Sequence, residues 1–293
     1  MDPARCKAFL LSVETGSFTR AAEAMGYTPS GVSQLVHALE KELEFPLLIR
    51  SKHGVTPTAN GEVLLPAIRQ FLQQENLIWQ TAADIRGLTT GSVTIASYSS
   101  IAAHWLPGVI KAFEEEHPHI HIKLMDGIRQ EVTKWLDSKE ADVGFFSYQE
   151  PMKYEWIPLA EDPMLAILPT DHPLADANSY PLSRCAEEPF IMPALGRDAD
   201  VMAMLEANHL RPNIRFSTLD SYAALMMIEK GLGMSVMNEL ITRNWPCQVV
   251  KLPLDPPQQI TLGLGVLSLQ EASPAVRKFV DFSVRRLTQK QTS

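Results

Sequence analysis

Thr28–Leu43 reads TPSGVSQLVHALEKEL, and the fold of the whole chain turns on it. Thr28 suits an N-cap, and Pro29 suits the first helical position, where a missing N–H costs nothing. Val32, Leu35, Val36, Leu39 and Leu43 then recur at helical spacing and make one apolar stripe. The opposite face carries Ser30, Ser33, Gln34 and His37, with no acidic side chain before Glu40. Such a helix can bury its back in a protein core and push a small, hydrogen-bonding front into a groove.

Two further helices precede it. Cys6, Phe9, Leu10 and Val13 share a face, and Gly16 stops that helix. Ser17 caps the next, in which Phe18, Ala21, Ala22 and Met25 align until Gly26 ends it. After Pro46, Leu47–Ser51 reads as a strand, Lys52-His53-Gly54 as a turn and Val55–Thr58 as a returning strand. Two helices joined tightly, the second with an apolar back and polar front, form a helix-turn-helix followed by a wing. In that reading Thr28, Ser30, Ser33, Gln34 and His37 face duplex DNA. Gln34 pairs with adenine and the serines reach phosphate or base edges. Arg50 and Lys52 reach flanking phosphates. The rival is a helical bundle for protein contact. Residues 1–65 hold six basic and seven acidic side chains, a net of 6 − 7 = −1, so no basic footprint decides between the two.

Asn60 to Arg86 is again helical. Leu64, Phe71, Ile78 and Ile85 recur every seven residues, with Ile68 and Ala82 between them, as in a helix that pairs with another. Pro66 is expected to kink it or frame its first turn, and Gly87 to Gly91 reads as a hinge. From Ser92 strands and helices alternate. Strands are expected at 93–97, 120–125, 141–146, 164–169, 214–217, 234–237 and 260–266, and helices at 102–116, 130–138, 198–208, 221–230 and 273–288. The alternation points to parallel sheets flanked by helices. About 200 residues of it exceed one compact sheet, so two lobes with a cleft follow.

The totals narrow the function. A formal charge of −8 argues against a protein that coats polyanions but permits a compact reading head. Cys6, Cys185 and Cys247 form neither a disulfide framework nor a zinc motif, and read as reduced thiols. No signal peptide or membrane-spanning run is visible, so the expected location is the cytoplasm.

The segment AFLLSVETGSFTRAAEAMGYTPSGVSQLVHALEKELEFPLLIR, residues 8–50, resembles the DNA-binding domain of LysR-type transcriptional regulators. Phe9, Val13, Gly16-Ser17-Phe18, Ala21-Ala22, Ser30, Val32-Ser33, Leu39-Glu40, Leu47 and Arg50 stand in register with the family pattern, and Val55, Thr58 and Gly61 continue it. Departures are Gly31 for the usual Ala, which loosens the first turn of the recognition helix, Glu44-Phe45 where Gly is common, Leu48 for Phe, Pro57 for Leu and Asn60 for Ala. The resemblance implies an α/β protein with an N-terminal winged helix-turn-helix at 1–58 and a linker and dimerisation helix with hinge at 59–90. A two-lobed effector domain, similar to periplasmic binding proteins, follows at 91–293. Its first lobe is 92–162 plus 267–293 and its second is 163–266. DHPLA at 171–175 and EKGLGMSVM at 229–237 fit that plan, and Asn238, where Pro is frequent, leaves the following loop less fixed.

Cleft residues follow from strand ends, because carboxyl ends of parallel strands face the crevice. Ser99 and Ser100 offer hydroxyls and free N–H groups to an anionic head. Gly127, Ile128 and Phe146 line the first lobe, with Phe146 and Ile128 suiting an apolar body. Leu195, Gly196 and Thr218 line the second. His117, His119 and His121 alternate on an exposed strand face, which is favoured over a metal site, and no cofactor is expected. No nucleophile–base set or phosphate loop stands out, so an enzyme is disfavoured. The reading is a regulator that binds double-stranded DNA as a homodimer or homotetramer and is modulated by a small-molecule effector. The alternative is a cytoplasmic small-molecule-binding protein whose N-terminal helices mediate assembly.

Overall fold

The structure, a computed structural model, describes residues 1–51, 54–86 and 90–289. Contacts divide the chain into two compact units. One is Met1–Gly91 with Ser138–Glu140 and Ser273–Ala275; the other is Ser92–Asp137, Ala141–Ala272 and Val276–Ser293.

The first unit opens with α1 (Pro3–Thr15), α2 (Phe18–Met25) and α3 (Pro29–Leu43). Each is capped as its sequence dictates. Asp2, Ser17 and Thr28 accept backbone N–H groups at the three N-termini. Gly16 closes α1 in the left-handed region at φ 63, a conformation that costs a side chain more than it costs glycine. Cys6, Phe9, Ala21, Ala22, Val32, Val36, Leu39 and Leu47 form a dry core between the helices. Burial of a valine or leucine contributes about 1.5–3 kcal/mol, so the back of α3 anchors this unit.

β1 (Leu48–Ser51) and β2 (Gly54–Pro57) form an antiparallel wing. Lys52 and His53 of its turn lie outside the described residues, as do Gly87–Thr89 of the expected hinge. α4 (Ala59–Ile85) passes close under the wing at Gly61, where a Cβ would stand 2.3 Å from the Leu47 carbonyl oxygen. Pro66 lies inside α4, past its first turn, and the helix continues through it. The seven-residue row divides: Leu64 and Phe71 pack with buried Ile68 on the unit's own core, while Ile78 and Ile85 are 67% and 81% exposed.

In the second unit, β3 (Gly91–Ser97) is followed by α5 (Ser99–His104), α6 (Leu106–Glu116), β4 (Ile120–Asp126), α7 (Arg129–Asp137) and β5 (Val143–Ser147). The single helix expected at 102–116 is two, starting at Ser99 and broken at Trp105, because Pro107 supplies no N–H to continue the first. Next come β6 (Glu155–Pro169), β7 (Tyr180–Pro181), β8 (Pro189–Met192), α8 (Ala199–Ala207), β9 (Asn213–Ser217), α9 (Ser221–Glu229), β10 (Ser235–Asn238), β11 (Val249–Val266) and α10 (Pro274–Gln289).

The sheets are mixed, which corrects the all-parallel expectation. β3–β5 and β8–β9 are parallel, but β6 and β11 run antiparallel along most of their length and join the two lobes, with a register shift between Pro253 and Gln258. At its far end β11 pairs with β5 of the first lobe, and β6 pairs with β10 of the second. Each lobe has its own core. Val132, Leu136, Phe146 and Tyr154 fill one side of the first; Tyr180, Phe190, Val201, Leu205 and Val236 fill the second.

Asn238 overturns the loose-loop expectation. Its amide donates to the buried Asp162 carboxylate on β6, whose other oxygen accepts the Leu240 N–H at 3.2 Å. A side-chain hydrogen bond therefore replaces the rigidity that a proline ring supplies.

Candidate DNA interface and effector cleft

The front of α3 is open. Thr28, Ser30, Gln34 and His37 are exposed and Ser33 is half-buried, while Val32, Val36 and Leu39 directly behind them are sealed. The first turn is held by Thr28, whose Oγ1 accepts the Gly31 N–H at 3.1 Å and lies 3.1 Å from Ser30 Oγ. A Cβ at Gly31 would itself meet that Thr28 oxygen at 3.1 Å, so glycine here permits a close cap rather than a loose turn.

Arg50, expected as a free arm to phosphate, is more constrained. Its Nη1 donates to Ser33 Oγ at 3.1 Å, its Nη2 stands 3.7 Å from Glu40, and its guanidinium lies over the Phe18 ring. Glu40 in turn accepts the N–H groups of Leu47 and Leu48 at 2.8 and 3.1 Å. The wing is thus registered on the recognition helix, with Arg50 still 48% exposed at the junction. Thr19 and Arg20, which the sequence does not single out, are exposed at the N-terminus of α2, where the Arg20 N–H donates to Ser17 Oγ at 3.4 Å. The Ser17 cap was the signal that places them there.

In the second unit the structure redistributes the expected cleft residues. Ser99 is exposed at the start of α5, but its Oγ donates to Asp126 at 3.0 Å; Ser100 beside it is half-buried. Gly127 and Ile128 form the turn into α7, where the Ile128 N–H donates to Glu131 at 3.0 Å. Phe146 is fully enclosed. Its ring packs edge-on against Tyr154 and Trp156, with Arg129 over its face, so it supports the site from below instead of lining it. Leu195 and Thr218 are joined by a 3.1 Å backbone hydrogen bond. Leu195 and Ala194 sit at φ 54 and 48 before Gly196, a strained corner of the kind that gathers at ligand sites. A pocket of about 770 Å³ opens on the second lobe among Met192, Gly196, Met202, Leu205, His209 and Ile214; of the expected residues, only Gly196 lines it.

The polar centre where the lobes meet was not anticipated. Ser147, at the end of β5, donates to Asp200 of α8 at 2.6 Å, and Gln149 donates to the same oxygen at 2.7 Å. Tyr98 OH lies 2.9 Å from Ser147 Oγ, and Arg129 donates to both Ser147 oxygens. Burial raises the carboxyl pKa of Asp200, opposed by its hydrogen bonds and by Arg129. Burial likewise pushes Asp198, the N-cap of α8, up to about 6. Among the described residues neither carboxylate is in an ion pair.

Other features are quieter. The His117 ring packs on Phe113, and no cluster of three or more His, Cys, Asp or Glu among the described residues is arranged to hold a metal. Cys6 and Cys185 are buried, and burial pushes the Cys185 thiol up to about 12, away from the reactive thiolate. Among the described residues no helix is long and apolar enough to cross a membrane.

Comparison with known proteins follows the same division. Residues 4–62 match the family of bacterial regulatory helix-turn-helix proteins, lysR family, and residues 86–288 match the LysR substrate binding domain. The HTH-type transcriptional regulator YvbU of Bacillus subtilis (strain 168), itself described as uncharacterized, is 32% identical, covering 97% of this chain and 98% of its own. A full-length point variant of OxyR from Pseudomonas aeruginosa superposes with a TM-score of 0.75 at 18% identity, covering 98% of this chain and 94% of its own. The regulatory domain of CcmR from Synechocystis PCC6803, solved in complex with 2-PG, matches 68% of this chain and 98% of its own, with a TM-score of 0.62 at 20% identity. At these identities the two structures speak for the fold alone.

Proposed function

Since the chain belongs to the LysR family of DNA-binding transcriptional regulators, we propose that it reads its target with the open front of α3 and answers to a small molecule held between the lobes of its second unit. Gln34 and Ser30 meet base edges. Thr28, Ser33, His37, Arg50 and Lys52 orient the helix or reach phosphate. The observation that carries this reading is the contrast across one helix, whose polar face is exposed while its apolar face is sealed.

The chain acts as a homodimer or homotetramer through α4, whose Ile78, Trp79 and Ile85 are at least 67% exposed and form an apolar row that a partner helix would cover. Its effector sits by Ser99, Ser100, Gly127, Ile128, Leu195, Gly196 and Thr218. The 2-PG complex of the CcmR regulatory domain supports a small-molecule role for this domain. The effector shifts the population of lobe arrangements and thereby the placement of the reading heads. The protein works in the cytoplasm as a regulator and not as an enzyme.

Selection of bound duplexes from a random pool by the full-length protein tests this reading. Paired half-sites separated by whole helical turns are expected, with an affinity that falls steeply with salt. A pool that shows no enrichment at low salt would contradict it.

A further inference from the structure

The hydrogen bonds where the lobes meet have a direction. Ser147 Oγ has one proton, and it goes to Asp200, so the same oxygen accepts from Tyr98 OH and from Arg129. Gln149 adds a second donor to Asp200. Tyr98 follows β3, Arg129 opens α7, and Ser147 and Gln149 lie at and just past the end of β5; Tyr98 and Arg129 bond Ser147 Oγ, and Ser147 and Gln149 in turn both donate to one oxygen of Asp200. A hydroxyl, an amide N–H and a guanidinium behind them are the donor set by which proteins recognise an anionic oxygen. Here that oxygen is supplied by the protein itself, from the first turn of α8 in the second lobe. Ser147 is fully buried and Asp200 is 9% exposed, so water does not compete freely for these bonds.

We infer that Asp200 is a built-in ligand: its carboxylate occupies the anion seat of the first lobe and clasps the two lobes together, and an effector bearing a carboxylate or similar oxyanion enters by displacing it. The inference rests on the reading that the effector binds between the lobes. It explains why Ser147 and Gln149 face inward, although the strand could have ended on apolar side chains. It also gives the effector a defined act, since exchanging one anion for another frees α8 from the first lobe while leaving the donors satisfied. The charged and titratable groups around the clasp are Arg129, which favours the bound carboxylate, Asp198, which opposes it from the same helix, and Tyr98.

The seat is testable with acetate as the probe. In full-length Asp200→Ala at pH 7.5 the donors lose their carboxylate and a small cavity opens before them. Sodium acetate is expected to raise the Tm of this variant by about 3–6 °C at ten times its dissociation constant, relative to sodium chloride of equal ionic strength. Wild type, whose seat is filled, should respond to the two salts alike, and the gain should vanish in Asp200→Ala with Ser147→Ala. Equal responses in wild type and Asp200→Ala, or none in either, would overturn the built-in ligand. If Asp200→Ala does not fold, Asp200→Asn keeps the shape and weakens the charge-assisted bonds. Its amides at 145–149 and 198–204 should then exchange with solvent roughly tenfold faster, and unchanged exchange would overturn the proposal. Acetate rescue without any small molecule altering DNA binding would retain the clasp and remove the effector reading; effector-dependent DNA binding without rescue would do the reverse.

Discussion

The front of α3 and the meeting point of the two lobes are both polar surfaces laid over apolar cores, yet their hydrogen-bonding groups stand in opposite states. On α3, Gln34 and His37 face solvent, Ser30 lies 3.1 Å from the capping Thr28 hydroxyl, and Ser33 accepts from Arg50. Between the lobes, Ser147, Gln149 and Arg129 already serve partners inside the molecule. On the proposed reading, one surface waits for a ligand and the other holds a substitute for one. Binding to the first adds bonds where water now sits, whereas binding to the second must exchange bonds already made. The first should therefore be governed by contact chemistry and salt, and the second by competition.

The largest expected effects test the cores beneath. Leu39→Ala removes a fully buried side chain from the back of α3 and should cost the first unit about 2–5 kcal/mol. Denaturant unfolding followed separately for the two units checks this; an unchanged first unit would show that the apolar back does not hold the reading head.

Asp198→Asn probes the filled seam. Burial lifts the Asp198 carboxyl from 3.8 to about 6. The folded chain thus holds the proton more tightly than the unfolded one, and this contribution to stability is full below about pH 4 and lost as pH rises through about 6. Asparagine keeps the cap without the charge. The variant should match wild type near pH 4 and exceed it at about pH 7 by on the order of 2–3 kcal/mol. Chemical unfolding across that range measures the difference, and parallel curves would contradict it.

Arg50→Ala is the smallest of the three. It should weaken binding on every sequence alike, lower the salt slope by about 0.9, and cost the fold under about 1 kcal/mol. A change in sequence preference instead would mean that Arg50, through Ser33, orients a base contact.

Legibility followed distance along the chain. The three N-terminal helices depend on caps and on i, i+3, i+4 spacing, so Thr28, Gly16 and the Val32–Leu43 stripe could be read directly. β6 and β11 could be read only in part, because Pro158, Pro163, Pro253, Pro256 and Pro257 interrupt their apolar runs while antiparallel pairing holds them together. Strand ends point to Ser99 and Gly127 as candidates but not to Asp200, whose partner Ser147 is 53 residues away. Phe146 was misjudged by one residue, and with a period of two that turns a side chain from the cleft into the core. Asn238 was read without Asp162, a partner 76 residues distant that no local pattern reveals.

Gln34 must read a base if α3 is the reading head, and the direct measurement is duplex selection followed by sequencing for wild type and Gln34→Ala. The expected result is relaxed preference at one position in each half-site, a discrimination loss of about 1–3 kcal/mol, with other positions intact. Equal weakening on all sequences, or no change at all, would contradict it.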